Sequence, residues 1–132
     1  MEEKPVKVVL DTHSVLWWSF QPDLLGRAAH RAIEKANELG VPTIVFWEIS
    51  LLVRRKKIAL GMPVVRWIDL ILSVDRVVAL DLTVGIAIRA EALEMHPDPA
   101  DRFIVATALE NKSLLVTKDR ALRQLSFVET VW

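Results

Sequence analysis

The chain reads as an α/β protein, a three-layer α/β/α sandwich around a central parallel sheet of four to five strands. Two observations predict this class. Short β-branched runs alternate with segments of helical period along the sequence, and such alternation implies right-handed crossovers and a parallel sheet covered on both faces. The chain has 132 residues, of which 52% are hydrophobic, enough for one well-buried core, so a single domain spanning 1–132 is expected.

Residues 6–10 (VKVVL) form a β-branched run ending at Asp11-Thr12, and residues 13–20 continue with Val15, Leu16 and Trp18 at helical spacings. Pro22-Asp23 breaks that pattern. A second helix is expected over 25–39, where Ala28, Ala32, Ile33, Ala36 and Leu39 recur up to a terminal Gly40. Residues 41–46 (VPTIVF) are too short for an independent helix and predict a second strand, followed by a helix from Trp47 through Val53 into Arg54-Arg55-Lys56-Lys57. After Gly61-Met62-Pro63, the stripe Val64, Trp67, Ile68, Ile71 and Leu72 predicts a packed helix. A third strand is expected over 76–82 (RVVALDL) and a helix over 83–95. Then follow a helix over 100–111 after Pro97-Asp98-Pro99, a fourth strand over 113–117 (SLLVT), a short helix over 119–125 and an edge strand over 127–131.

Composition narrows the function. Lys+Arg and Asp+Glu are both 17, so no overall basic field attracts nucleic acid or an acidic membrane, and any RNA contact must be local. Absence of cysteine excludes disulfides and thiolate zinc sites, and the start MEEKPVK lacks an apolar signal region. No apolar stretch approaches the roughly 20 residues needed to cross a bilayer. A cytoplasmic protein is expected, and the mean hydropathy of +0.31 points to buried interfaces with a partner or a second copy.

Four acids, Asp11, Glu48, Asp101 and Asp119, each read as standing where an apolar run ends and a helical pattern begins. The carboxyl ends of neighbouring parallel strands share one edge of a sheet, so all four would converge on one crevice. Taken singly, Asp11, Asp101 or Asp119 is explained as a helix cap, worth about 0.5–2 kcal/mol. Helix phase resists that explanation for two of the four acids. Three, four and seven residues after Asp101 come Ile104, Val105 and Ala108, and after Glu48 come Leu51, Leu52 and Arg55, so both acids head mainly apolar faces. Two unit charges 4 Å apart repel by about 4 kcal/mol at an effective dielectric near 20, and gathered acids therefore require a cation or protonation. Oxygen donors without Cys or a paired His motif favour Mg2+ or Mn2+ over zinc.

Val9-Leu10-Asp11-Thr12, Phe46-Trp47-Glu48-Ile49, Asp98-Pro99-Ala100-Asp101-Arg102-Phe103-Ile104 and Leu115-Val116-Thr117-Lys118-Asp119 resemble, in order, the four signature segments of PIN domains. The resemblance runs from about Val6 onward and is closest to toxin ribonucleases of the VapC type. It implies a PIN-like sandwich, metal-dependent endoribonuclease activity leaving 5′-phosphate and 3′-hydroxyl ends, and a cognate antitoxin that masks the site. By position, Asp11, Glu48, Asp101 and Asp119 resemble the metal-holding quartet, Thr12 and Thr117 supporting polar residues, and Asp98 an accessory acid. Asp11 and Asp101 are expected as central ligands and Glu48 and Asp119 as flanking ones, with water activated by the metal attacking the phosphodiester. RNA substrate, antitoxin and a homodimer are thus the expected partners, with no membrane.

Other residues compete for attention. Arg54-Arg55-Lys56-Lys57 reads as a solvated helix end, and His13 as a local polar residue with substrate contact as its alternative. Trp47 and Trp67 are expected in the core. Adjacent Trp17 and Trp18 cannot both face one direction, so core and interface roles both stand for that pair. Two other classes of function compete with the nuclease: a non-catalytic interaction module that keeps the fold, and a phosphoacceptor domain of the receiver type. The single Asp11 after the first strand and Lys118-Asp119 after the fourth fit a receiver less well, and the complete quartet favours the enzyme.

Overall fold

The computed structural model describes residues 6–132. In sequence order it contains β1 (Lys7–Leu10), α1 (Thr12–Phe20), a 3-10 turn (Pro22–Leu24), α2 (Arg27–Lys35), β2 (Glu38–Pro42), α3 (Thr43–Arg54) and α4 (Val64–Leu72). Then come β3 (Val77–Leu80), α5 (Val84–Ala92), α6 (Pro99–Glu110), β4 (Leu114–Val116), α7 (Arg120–Arg123) and β5 (Thr130–Val131). The strands form one all-parallel sheet in the order β3-β2-β1-β4-β5. The three-layer α/β/α class with a five-stranded parallel sheet is therefore the observed one. Its strand order differs from the 2-1-3-4-5 order of receiver-type folds, which removes the phosphoacceptor reading.

From β1 the backbone steps outward through β2 to β3, then returns to the other side of β1 through β4 and β5. Right-handed crossovers place the two sets of connecting helices on opposite faces. The reversal makes the carboxyl ends of β1 and β4 a switch point, the usual place for a site in an open parallel sheet. Val8, Val9 and Leu10 of β1 are all buried, as a central strand covered on both faces requires. Around them close Val15, Val45, Ile49, Ile104, Leu115 and Leu122.

Expectation and structure differ most between α2 and α3. The second helix stops at Lys35 instead of reaching Leu39, because the next residues are taken into the sheet: Asn37 N–H donates to Val6 O at 2.8 Å, and Asn37 Oδ1 accepts from Val6 N–H. Gly40 is consequently a strand residue and not a helix stop. It pairs with Val9, where an added Cβ would fall 2.6 Å from Leu80 Cδ1. Pro42, the last residue of β2, has no N–H to continue the ladder and stands at the N-cap position of α3. Thr43 to Phe46, expected in a strand, form that helix's first turn, with Val45 fully buried. Trp47, expected in the core, is 56% exposed, whereas Trp67 is 2% exposed as expected. Trp17 and Trp18 are both half-buried against the core. The basic run ends α3 at Arg54, with Lys56 in the left-handed region and all four side chains exposed. No helix among the described residues is long and apolar enough to cross a membrane.

At α2 the cap residue Gly26 supplies no side chain, and the Trp132 carbonyl accepts from the N–H groups of Ala28 and Ala29, both at 3.1 Å. A Cβ on Gly26 would lie 2.6 Å from the backbone carbonyl carbon and oxygen of Trp132, so Gly26→Ala displaces the group that caps the helix. The expected loss is roughly 1–3 kcal/mol, read as a lower urea midpoint with unchanged slope. An unshifted midpoint would contradict this account of the cap.

Candidate metal centre and the cavity around it

Asp11 leaves the end of β1 and caps α1. Ser14 N–H donates to its Oδ1 at 3.0 Å, and Ser14 Oγ lies 2.6 Å from the same oxygen and 2.8 Å from Val116 O, its one proton serving either acceptor. The Thr117 hydroxyl lies near enough to the Asp11 carboxylate to pull its pKa down and accepts from Asp119 N–H at 3.0 Å. Thr117 thereby stands between two of the acids across the β1/β4 seam, where Leu10 and Val116 are register partners. Burial pushes the Asp11 carboxyl above the usual carboxylate range, and Ser14 and Thr117 offset only part of the rise.

Glu48 and Asp101 do not occupy strand ends. Glu48 lies more than a turn inside α3, and Asp101 is in the first turn of α6, which follows α5 and a loop. Their approach to Asp11 comes from helix packing: α3 packs on both α1 and α6. Glu48 is half-buried and its Oε1 accepts a hydrogen bond from the Thr12 hydroxyl. Asp98 caps α6, accepting from Ala100 N–H at 3.0 Å, and so sets the start of the helix that carries Asp101. Asp119 caps the short α7 through Leu122 N–H at 3.1 Å.

Asp101 is the acid whose ionisation three other acids oppose. Its side chain is 22% exposed, and burial together with the charges of Asp98, Asp119 and Glu48 raises its pKa to about 7, against the pull of His96. His96 Nε2 stands 3.4 Å from Asp101 Oδ2. Arg102, next to Asp101 in sequence, turns away. Its guanidinium donates to the carbonyls of Ala90, Leu93, Met95 and His96 at 2.7–3.1 Å, fixing the loop that holds His96 and Asp98.

All four acids of the expected quartet line one open cavity of about 490 Å³, joined by Asp98, Thr12, His13, Trp17, Ile104 and Lys118. Thr117 is fully buried beneath it. Among the described residues no three His, Asp or Glu side chains are arranged as a ready metal cage; hydroxyls of Thr12 and Ser14 satisfy acid oxygens instead. The donor chemistry nevertheless fits a hard divalent ion: several carboxylates, one neighbouring imidazole, no thiol, and a carboxyl whose ionisation its neighbours oppose.

Two polar partners escaped sequence reasoning. Ser14 is readable in principle from Asp11-Thr12-His13-Ser14, since a hydroxyl three residues after a capping Asp returns to it. His96 carries no such signal, because the loop that brings it to Asp101 is shaped by Arg102 and by the packing of α5 on α6.

Comparison with known proteins agrees with this architecture. The PIN domain family model matches residues 8–128. Ribonuclease VapC22 of Mycobacterium tuberculosis is 41% identical over 116 residues, covering 88% of this chain and 89% of that protein. Among solved structures, VapBC2 from Rickettsia felis bound to a promoter DNA fragment superposes with a TM-score of 0.70 at 16% identity, covering 96% of this chain and 98% of that one. VapBC-1 from nontypeable Haemophilus influenzae superposes with a TM-score of 0.67 at 15% identity, covering 96% and 97% respectively. Those two likenesses speak to the fold, and the family match with the 41% relative speaks to descent: the chain belongs to the PIN domain family.

Proposed function

We propose that the protein is a metal-dependent endoribonuclease, the toxin of a toxin–antitoxin pair. The observation that carries this reading is the gathering of Asp98, Asp119 and Glu48 in one cavity around a half-buried Asp101, whose carboxyl is pushed to about 7 by burial and by their charges together. A cavity that strains its own carboxylates is suited to a positive ligand. The ribonuclease relative at 41% identity supports RNA as the substrate class.

Asp11 and Asp101 would hold Mg2+ or Mn2+, with Glu48 and Asp119 flanking, for one or two ions. When bound, such an ion lowers the pKa of water and neutralises charge on a phosphodiester. The protein's own residues perform the remaining tasks. Ser14 fixes the Asp11 carboxylate with Thr117 beside it, Thr12 orients Glu48, and Asp98 sets the start of α6 under Asp101. His96 Nε2 faces Asp101 Oδ2 at 3.4 Å and lowers the cost of its charge. Lys118 stands on the cavity wall as a cation for a phosphate.

An antitoxin that covers the cavity and a second copy of the protein are the proposed protein partners. Exposed apolar side chains support such contacts, notably Val65 (71%), Val84 (77%) and Ile88 (67%). The VapBC structures among the structural neighbours are in keeping with the antitoxin partner.

Three outcomes are expected. Purified protein cleaves single-stranded RNA with Mn2+, EDTA abolishes cleavage, and Asp101→Asn lowers the rate by roughly a hundred-fold or more. Cleavage indifferent to both treatments would remove the metal mechanism. In metal-free buffer, Asp101 binds its proton more tightly when folded than when unfolded. Its ionisation therefore costs nothing below about pH 4, destabilises the fold progressively toward pH 7, and costs the full amount above that. Asp101→Asn should accordingly be more stable than wild type at pH 8 by roughly 2–4 kcal/mol, with the difference gone at pH 4 in thermal melts. Mn2+ should raise the wild-type melting temperature more than the variant's, and equal melting of the two proteins at pH 8 without metal would refute the proposed strain. For the toxin role, expression alone should arrest growth and co-expression with the adjacent upstream reading frame should relieve it; harmless expression alone counts against that role.

A further inference from the structure

The cavity has a second wall that metal chemistry does not use. Trp17 lies on the face of α1 that borders the acids, one helical turn beyond His13, and its ring is held from two sides. His13 packs at 5.4 Å between centroids with the planes at 48°, and Trp132 at 5.6 Å and 58°. Over the ring sits the Lys118 ammonium, 5.2 Å from the centroid. Lys118 is exposed and makes no salt bridge among the described residues, although Asp119 is adjacent in sequence. The result is a clamped aromatic plate beside a carboxylate cluster, covered by one flexible cation.

Resting on the nuclease reading for its substrate class, we propose that Trp17, His13 and Lys118 form a nucleotide subsite, in which an unpaired RNA base stacks on the Trp17 indole while Lys118 moves to the adjoining phosphate. The energetic ordering favours the exchange. A cation over an exposed ring is worth roughly two- to five-fold in population, whereas a base stacked on an aromatic side chain is worth roughly five- to hundred-fold in affinity. Lys118 displaced from the ring gains a phosphate contact in return. A base held by its π-face must be unpaired, which selects single strands and loops over duplex. The subsite lies in the same cavity as Asp11 and Asp101, so a base held there presents its own phosphate to the acids.

The test is binding in EDTA, where no cleavage occurs, by fluorescence anisotropy of a labelled single-stranded oligoadenylate and of an abasic oligomer of equal length and charge. Wild type should prefer the oligoadenylate, and Trp17→Leu should weaken that binding roughly ten-fold or more while leaving the abasic oligomer nearly unchanged. Trp17→Phe should retain most of the affinity, because a ring still stacks. Lys118→Gln should weaken both ligands and reduce the salt dependence by about one phosphate contact. A Trp17→Leu variant that loses both ligands equally has only a structural role, and a well-folded variant that loses neither has none here. Either outcome overturns the subsite, as does equal binding of duplex RNA. Base-dependent binding through Trp17 without any cleavage in Mn2+ would uphold the subsite and defeat the nuclease reading; cleavage with Trp17-independent binding would do the reverse.

Discussion

A carboxylate carried into the interior at the end of the central strand is the constraint on which the rest depends. Asp11 is 8% exposed and burial disfavours its charge. Leaving a buried charge without partners costs several kcal/mol, so the surrounding structure is organised to serve it. Ser14 supplies a backbone N–H and a hydroxyl from the first turn of α1, and Thr117 supplies a hydroxyl from the segment after β4. These bonds link the start of a helix to two neighbouring strands, and Asp11 N–H donates to Val116 O across the same seam. The position of α1 and the register of β1 on β4 are thus tied to one residue.

The remaining acids make sense only against that anchor. Glu48, Asp98, Asp101 and Asp119 come from three further segments, each held by a local feature: a Thr12 hydroxyl, an Ala100 N–H, the first turn of α6, and a Leu122 N–H. Caps of this kind stabilise each helix by about 1 kcal/mol, yet they also aim like charges at one cavity. The nearest arginine does not relieve the repulsion, because Arg102 is committed to backbone carbonyls at the end of α5 and in the loop after it. That commitment sharpens the electrostatic problem: Arg102 builds the loop that brings Asp98 and His96 to Asp101 and leaves the negative charge for a ligand to neutralise.

How much of this is legible in the sequence follows from which forces place each residue. β1, α6 and β4 are readable because local pattern and tertiary role coincide there: a short β-branched run, or a 3.6-residue stripe after Asp98-Pro99, means the same thing locally and globally. The sheet class follows from the alternation alone. The segment 36–46 misleads because Ala36 and Leu39 fit a helix continuing from α2 equally well, while Ile44, Val45 and Phe46 carry strand propensity. Pairing with β1 and the missing N–H of Pro42 decide the boundary, and neither is visible in a local window. Asp11 and Asp119 do follow strands, as expected; Glu48 and Asp101 are signalled by inward helix phase, although their assignment to strand ends is mistaken. Trp47 shows the limit of phase, since it sits one residue before Glu48 on the same helix and faces outward.

The two walls of the cavity meet at one helix start. Once Asp11 caps α1, the register of the first turn is set: Ser14 turns back to the cap, Thr12 points toward Glu48, and His13 with Trp17, four residues apart, occupy the cavity rim. The segment that supplies Thr117 beneath the acids continues directly into Lys118, which crosses to the indole. Asp11, Asp119 and the aromatic surface are therefore built from the same two stretches of backbone, while Glu48, Asp98 and Asp101 arrive with α3 and α6. A change that rotated the first turn of α1 would disturb both walls together, whereas substitution at Trp17 or Lys118 leaves the anchoring bonds of Asp11 in place. The chemistry of the acids and the choice of what lies across them are thus separable at the level of side groups while sharing one backbone.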